Sequence, residues 1–172
     1  MACVILVGMM GSGKTTVGRE LAARLEVPFK DTDKMLGHLL GRPEHELFRS
    51  YGEEAYRQHE TRLLRDLEPQ DAVISTGGGI VTREENWVEM RRLGTVVFLD
   101  VDGAVLESRL RTAKKRRPLL EVPDWEDRLS QLLLKRRAQY EKADIHVRLG
   151  AEGLAEVVEI VLEELKPDDG QP

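Results

Sequence analysis

Val4-Ile5-Leu6-Val7-Gly8-Met9-Met10-Gly11-Ser12-Gly13-Lys14-Thr15-Thr16 opens with four apolar residues and runs directly into a stretch of the form G-x-x-x-x-G-K-[ST]. Apolar residues in an unbroken run, closed by turn formers, read as a buried strand. Val17, Leu21 and Leu25 then recur at i, i+4 and i+8, the period of a helix, until Pro28 stops it. Strand, glycine-rich loop and helix in that order turn a string match into a mechanism. Glycines let backbone N–H groups turn inward around a phosphate, the helix N-terminus adds partial positive charge and Lys14 a full one. The Thr15 hydroxyl is a candidate Mg2+ ligand. Gly11, Ser12, Gly13, Lys14, Thr15 and Thr16 are therefore the expected nucleotide-binding residues; a mere glycine-rich turn with a surface lysine would make this context a coincidence.

Outward from this motif, Ala72-Val73-Ile74-Ser75 and Val96-Val97-Phe98-Leu99 repeat the buried-strand pattern, and Ile145-His146-Val147 does so more weakly. Helical periods near residues 53–67, 84–93, 103–111, 125–140 and 153–165 alternate with them. That alternation predicts an α/β fold, a parallel sheet with helices on both faces. At 172 residues the chain fits one domain, expected over 1–166 with a disordered polar tail over 167–172.

With 26 basic against 31 acidic residues the net charge is −5, which argues against nucleic-acid or anionic-membrane partners. The single Cys3 cannot form an internal disulfide and fits a reducing, cytoplasmic setting. No basic n-region precedes the first apolar run, and no run approaches the ~20 residues that cross a bilayer. His38, His45, His59 and His146 lack metal-ligand spacing.

A phosphate loop alone does not choose between switch, motor and kinase. Asp100-Val101-Asp102-Gly103 matches the D-x-x-G of nucleotide switches, but no N-K-x-D follows, and Asp100 reads better as a cap on the next helix. The strand ending at Ser75 carries no terminal Asp, so a metal-side carboxylate must come from Asp31 or Asp33, which could equally cap the helix after them. Arg57 stands between Glu53 and Glu60 at helical spacing, either an exposed ion-pair ladder or an anion clamp. Gly77, Gly78 and Gly79 make a flexible turn or a backbone surface open to a ligand. Arg136 belongs to a basic helix face with Lys135 and Arg137, or to a site. Residues 109–117 carry six bases and no acid, a charged patch or a mobile cover. Phe48 and Tyr56 are core residues or walls of a pocket, and composition favours core.

In order, GMMGSGKTT at 8–16, DTD at 31–33, GEEAYRQHE at 52–60, STGGG at 75–79, RRPLL at 116–120 and RRAQY at 136–140 resemble the shikimate kinases, which phosphorylate shikimate with ATP on the way to aromatic amino acids. The resemblance implies a three-layer P-loop kinase fold with a five-stranded parallel sheet in the order 2-3-1-4-5. It also implies an acceptor-binding insertion at about residues 33–62 and a lid at about 111–124 that closes late to exclude water. It assigns Asp31 with Thr15 to Mg2+, and Asp33 to the acceptor hydroxyl as base or orienter. Arg57, oriented by Glu60, and Arg136 become clamps on the acceptor carboxylate, and residues 77–79 line the acceptor pocket. Arg117 reaches the transferring phosphoryl group with Lys14, while Arg111 packs on adenine. Asp33, Lys14 and Arg117 are thus the expected catalytic residues, ATP the co-substrate and shikimate the small-molecule partner, in a monomer. A kinase of the same fold for another acceptor, or a non-catalytic binding module, are the readings this displaces.

Overall fold

A computed structural model describes residues 3–114 and 117–166; Lys115 and Arg116 of the basic run, and the expected disordered tail 167–172, lie outside the described residues. Strand β1 (Cys3–Val7) is buried along its whole length. Successive side chains of a strand point to opposite faces, so an all-apolar strand demands cover on both. Val4 and Leu6 meet Val17 and Leu21 of α1 (Lys14–Arg24) with Val158 and Val161 of α7 (Leu154–Glu164). Ile5 and Val7 meet Leu64 of α3 (Glu44–Asp66) with Trp87 and Met90 of α4 (Glu84–Leu93).

The sheet adds β2 (Phe29–Asp31), β3 (Val73–Ser75), β4 (Gly94–Val101) and β5 (Ile145–Leu149) in the order β2-β3-β1-β4-β5, every pair parallel. This is the expected order. Ile5 lies opposite both Ile74 and Val96, so β1 is central, flanked on one side by β3 and on the other by β4. Where a parallel sheet grows outward in both directions, the loops after the strands part and leave a crevice at the carboxyl ends. The glycine-rich loop leaves β1 into that crevice.

Helices α2 (Thr32–Leu40), α5 (Gly103–Thr112) and α6 (Trp125–Tyr140) complete the layers. The helix expected near 53–67 is the second half of α3, which starts at Glu44 and breaks at Gly52 (φ 83°, ψ 169°). Only glycine takes that backbone without strain, and the apolar period is interrupted there, which hid the first half. Leu36, Leu47, Tyr56 and Leu63 form a separate small core between α2 and α3.

One expectation is corrected. The cap of α5 is Asp102, whose carboxylate accepts from Ala104 N at 2.9 Å, and not Asp100. Strand β4 runs on through Val101 and α5 starts at Gly103, as expected, which puts Asp102 at the cap and leaves Asp100 in the strand, paired with Arg137 at 2.7 Å. Among the described residues, no helix is long and apolar enough to cross a membrane.

Trp87 ties this frame to the segment after β3: it is 1% exposed and its indole N–H donates to Val81 O at 3.0 Å. Trp87→Ala leaves a cavity and an unpaired carbonyl, and should cost about 3–5 kcal/mol. Thermal unfolding should register a fall in Tm of roughly 10 °C.

Candidate active site

Residues 8–15 leave β1 and enter α1 through Gly11 (φ 83°) and Gly13 (φ 92°), and no side chain caps the N-terminus of α1. Its first N–H groups stay available to an anion. Lys14 is only 7% exposed, and its ammonium donates to Gly8 O (2.8 Å), Met9 O (3.0 Å) and Ser12 Oγ (3.4 Å). These three acceptors draw the cation into the loop.

Asp31 caps α2 and also reaches the phosphate loop. Its Oδ1 accepts from Lys34 N (3.2 Å), capping α2, while Oδ2 accepts from the Thr15 hydroxyl (2.9 Å). Asp31 lies in register with Ser75 across β2 and β3, and Ser75 Oγ is 3.4 Å from Thr15 Oγ1. Among the described residues no cluster of three His, Cys, Asp or Glu could hold a metal by itself. One carboxylate among hydroxyls, all hard oxygen donors, does fit Mg2+, which completes its shell with waters and substrate phosphates.

Across the crevice, α2 and α3 carry the second group. Asp33 Oδ1 accepts from Tyr56 OH at 2.9 Å. Arg57 is 6% exposed and Glu60 fully buried, so their 2.5 Å pair is no surface ladder; Glu53 Oε1 adds a second contact to Arg57 at 3.3 Å. Burial pushes the Glu60 carboxyl up to about 7, and the Arg57 guanidinium beside it restrains that rise. Burial pulls Arg57 down, but Glu60 and Glu53 outweigh it and the net direction is up, so the guanidinium stays charged. Arg136 is 3% exposed, 4.0 Å from Glu53 Oε1. Its neighbour Arg137 turns away, bound to Asp100 and Glu141, each at 2.7 Å.

The residue 77–79 loop lies flat against these groups. A Cβ on Gly79 would stand 2.0 Å from Arg57 Nη2, and one on Gly77 would stand 2.6 Å from Glu60 Oε1. Gly77 N donates to the buried Thr32 hydroxyl (3.2 Å), and Tyr140 OH donates to Gly78 O (2.5 Å).

The phosphate loop, Asp31, Asp33, Arg57, Arg136 and residues 77–79 line one cavity of about 1180 Å³. Every residue expected at the site lines it except Arg111. Arg111 is bound to Glu107 (2.7 Å) and Glu126 (3.2 Å) and lies over the Trp125 ring (5.5 Å). Arg109, two residues earlier, lines the cavity instead and donates to Gly11 O (3.3 Å). Arg117 also lines it, with a buried Nε that has no hydrogen-bond partner. Sequence reasoning passed over Arg109, Thr32 and the Tyr56 hydroxyl. In the sequence Thr32 is a spacer between aspartates, Tyr56 one more core aromatic and Arg109 one base in a run; positional signals existed for Thr32, within DTD, and for Tyr56, within GEEAYRQHE.

A shikimate kinase family model matches residues 10–166. A shikimate kinase from Symbiobacterium thermophilum is 42% identical over 95% of this chain and 95% of its own length. One from Synechococcus sp. (strain CC9902) is 40% identical over 93% of this chain and 84% of its own. Among solved structures, shikimate kinase from Acinetobacter baumannii in complex with shikimate superposes with a TM-score of 0.89 at 32% identity, covering 96% of each chain. A gluconokinase from Sinorhizobium meliloti, 19% identical with a TM-score of 0.54, shares the fold alone. A phosphate loop and a buried arginine pair on one crevice, with relatives matching over nearly the full length, lead to one conclusion: this chain belongs to the shikimate kinase family.

Proposed function

We propose that this chain transfers the γ-phosphoryl group of ATP to the 3-hydroxyl of shikimate, giving shikimate 3-phosphate and ADP. The observation that carries the reading is the convergence of two buried guanidinium groups, Arg57 and Arg136, beside Asp33 in the cavity that also holds the phosphate loop. A planar guanidinium grips a carboxylate with paired hydrogen bonds, and two of them suit an acceptor bearing one.

Lys14 and the N–H groups of residues 11–16 hold the nucleotide phosphates. Thr15 and Asp31 would hold Mg2+, which supplies charge neutralisation between the phosphate oxygens. Arg57 and Arg136 anchor the acceptor carboxylate, so its hydroxyl is delivered to Asp33. The hydroxyl oxygen bonds to the γ-phosphorus as the bridge to the β-phosphate breaks, and the hydroxyl proton passes to the Asp33 carboxylate. The transition state is loose, so position and charge matter more than basicity, and Lys14 with Arg117 meets the charge on the phosphoryl oxygens. In this reading, about residues 33–62 form the acceptor side and about 111–124 the closing lid, of which Lys115 and Arg116 lie outside the described residues. Arg109 takes the place at the nucleotide that the family resemblance gives Arg111.

ADP release measured with Mg-ATP should depend on shikimate and be weak with quinate, gluconate or no acceptor. Asp33→Asn should lower that turnover by about 10²–10⁴ while ATP binding persists; near-normal turnover would remove Asp33 from the chemistry. Arg136→Ala should raise KM for shikimate about 10- to 100-fold, and is a cleaner probe than Arg57→Ala, which strands a buried Glu60. Arg109→Ala should raise KM for ATP about 3- to 10-fold and Arg111→Ala less, since only the former loses a charge facing the cavity; the reverse ranking would return the role to Arg111.

A further inference from the structure

Tyr56 is buried to 1% exposure and stands one residue before Arg57 on α3. Its ring packs on Phe48, with centroids 4.7 Å apart, and lies 5.7 Å from the Arg57 guanidinium carbon. Its hydroxyl reaches the other way, donating to Asp33 Oδ1 at 2.9 Å. Burial, with the Asp33, Glu44 and Glu60 carboxylates nearby, pushes the phenol far above its ordinary range, so it serves Asp33 as a proton-retaining donor. Against the same Oδ1 lies Gly77, where a Cβ would stand only 2.7 Å away. The carboxylate is thus bracketed between a phenol and a bare α-carbon.

That bracket has a specific physical use. The terminal torsion of an aspartate is broad and roughly two-fold, so packing of the Cβ alone leaves the carboxylate plane free to turn. Reaction in line requires the acceptor oxygen at a defined angle, and a misplacement of about 1 Å can cost on the order of 100-fold. A hydrogen bond from a side chain that is itself locked by ring packing removes the torsional freedom. We propose that Tyr56 is a positioning residue for phosphoryl transfer, its hydroxyl fixing the carboxylate plane of Asp33 while its ring braces Arg57. The inference rests on the role given to Asp33 above.

The two halves of Tyr56 separate cleanly. Tyr56→Phe keeps the ring against Phe48 and Arg57 and removes only the donor. With kcat referred to sites counted by ATP binding, kcat should fall about 3- to 30-fold, while KM for shikimate and for ATP stays within about two-fold. In an Asp33→Ala background the same substitution should cost less than about two-fold further, because the group it acts through is gone. An unchanged kcat, a loss carried by KM for shikimate, or an equal loss in both backgrounds would each overturn the proposal and leave Tyr56 a packing residue. Absence of shikimate-dependent ADP release in the unmodified protein would instead sink the functional reading, visibly and before any variant is compared.

Discussion

A site that grips two anions has to bury cations before either anion arrives, and that requirement shapes the chain from the first strand to α6. Lys14, Arg57 and Arg136 are all less than a tenth exposed. A charge removed from water without partners costs several kcal/mol, so each is met by an acceptor the fold supplies. The two ends solve the problem differently. Lys14 donates to the carbonyls of Gly8 and Met9, which are neutral. Arg57 is paired with the buried carboxyl of Glu60, which trims the net positive charge there. Glu60 in turn resists ionisation because it is buried, and only Arg57 holds that resistance down. The pair is stable as a unit and poorly tolerates loss of either member.

The sheet provides the rigid frame for these placements. With β1 at the centre and both of its faces covered, its carboxyl end is fixed by two apolar layers at once. The register that sets Asp31 opposite Ser75 is what brings oxygen atoms from two strands beside Thr15. A slip of one residue would turn each of these side chains to the other face of the sheet. The metal-side geometry is therefore a consequence of strand pairing, itself specified by Val73 and Ile74 packing into opposite layers.

The parts legible in the sequence are those whose chemistry is contiguous. Residues 8–16 carry strand, loop, charge and helix start within one short stretch, and the buried strands announce themselves by unbroken apolar runs. Arg57 and Glu60 were ambiguous because three-residue spacing is the same on an exposed ladder and in a buried pair; only the packing of α3 against α2 distinguishes them. Arg109 and Arg111 show a different limit. Residues two apart on a helix lie about 200° around its axis, so they face opposite ways. Which one meets the cavity depends on how α5 is rolled, and that is set by Leu110 lying on Gly11, 3.1 Å from where a Cβ would be. No property of either arginine encodes the answer. The break at Gly52 and the start of α3 at Glu44 were hidden for a related reason, since an element that changes direction changes the face it buries.

What remains is why so many neutral groups surround the reacting ones. In the proposed reaction, a loose phosphoryl transfer asks little basicity of Asp33 and much constancy of direction. In the proposed reading, a phenol on one side and a glycine α-carbon on the other restrict the plane of its carboxylate. The same economy holds around the acceptor loop, where the Thr32 and Tyr140 hydroxyls pin Gly77 and Gly78 through single hydrogen bonds. In the proposed reading, cations hold the two anions and uncharged side chains aim what they hold; the second set leaves little mark in sequence because tyrosine, threonine and glycine occur everywhere for other reasons.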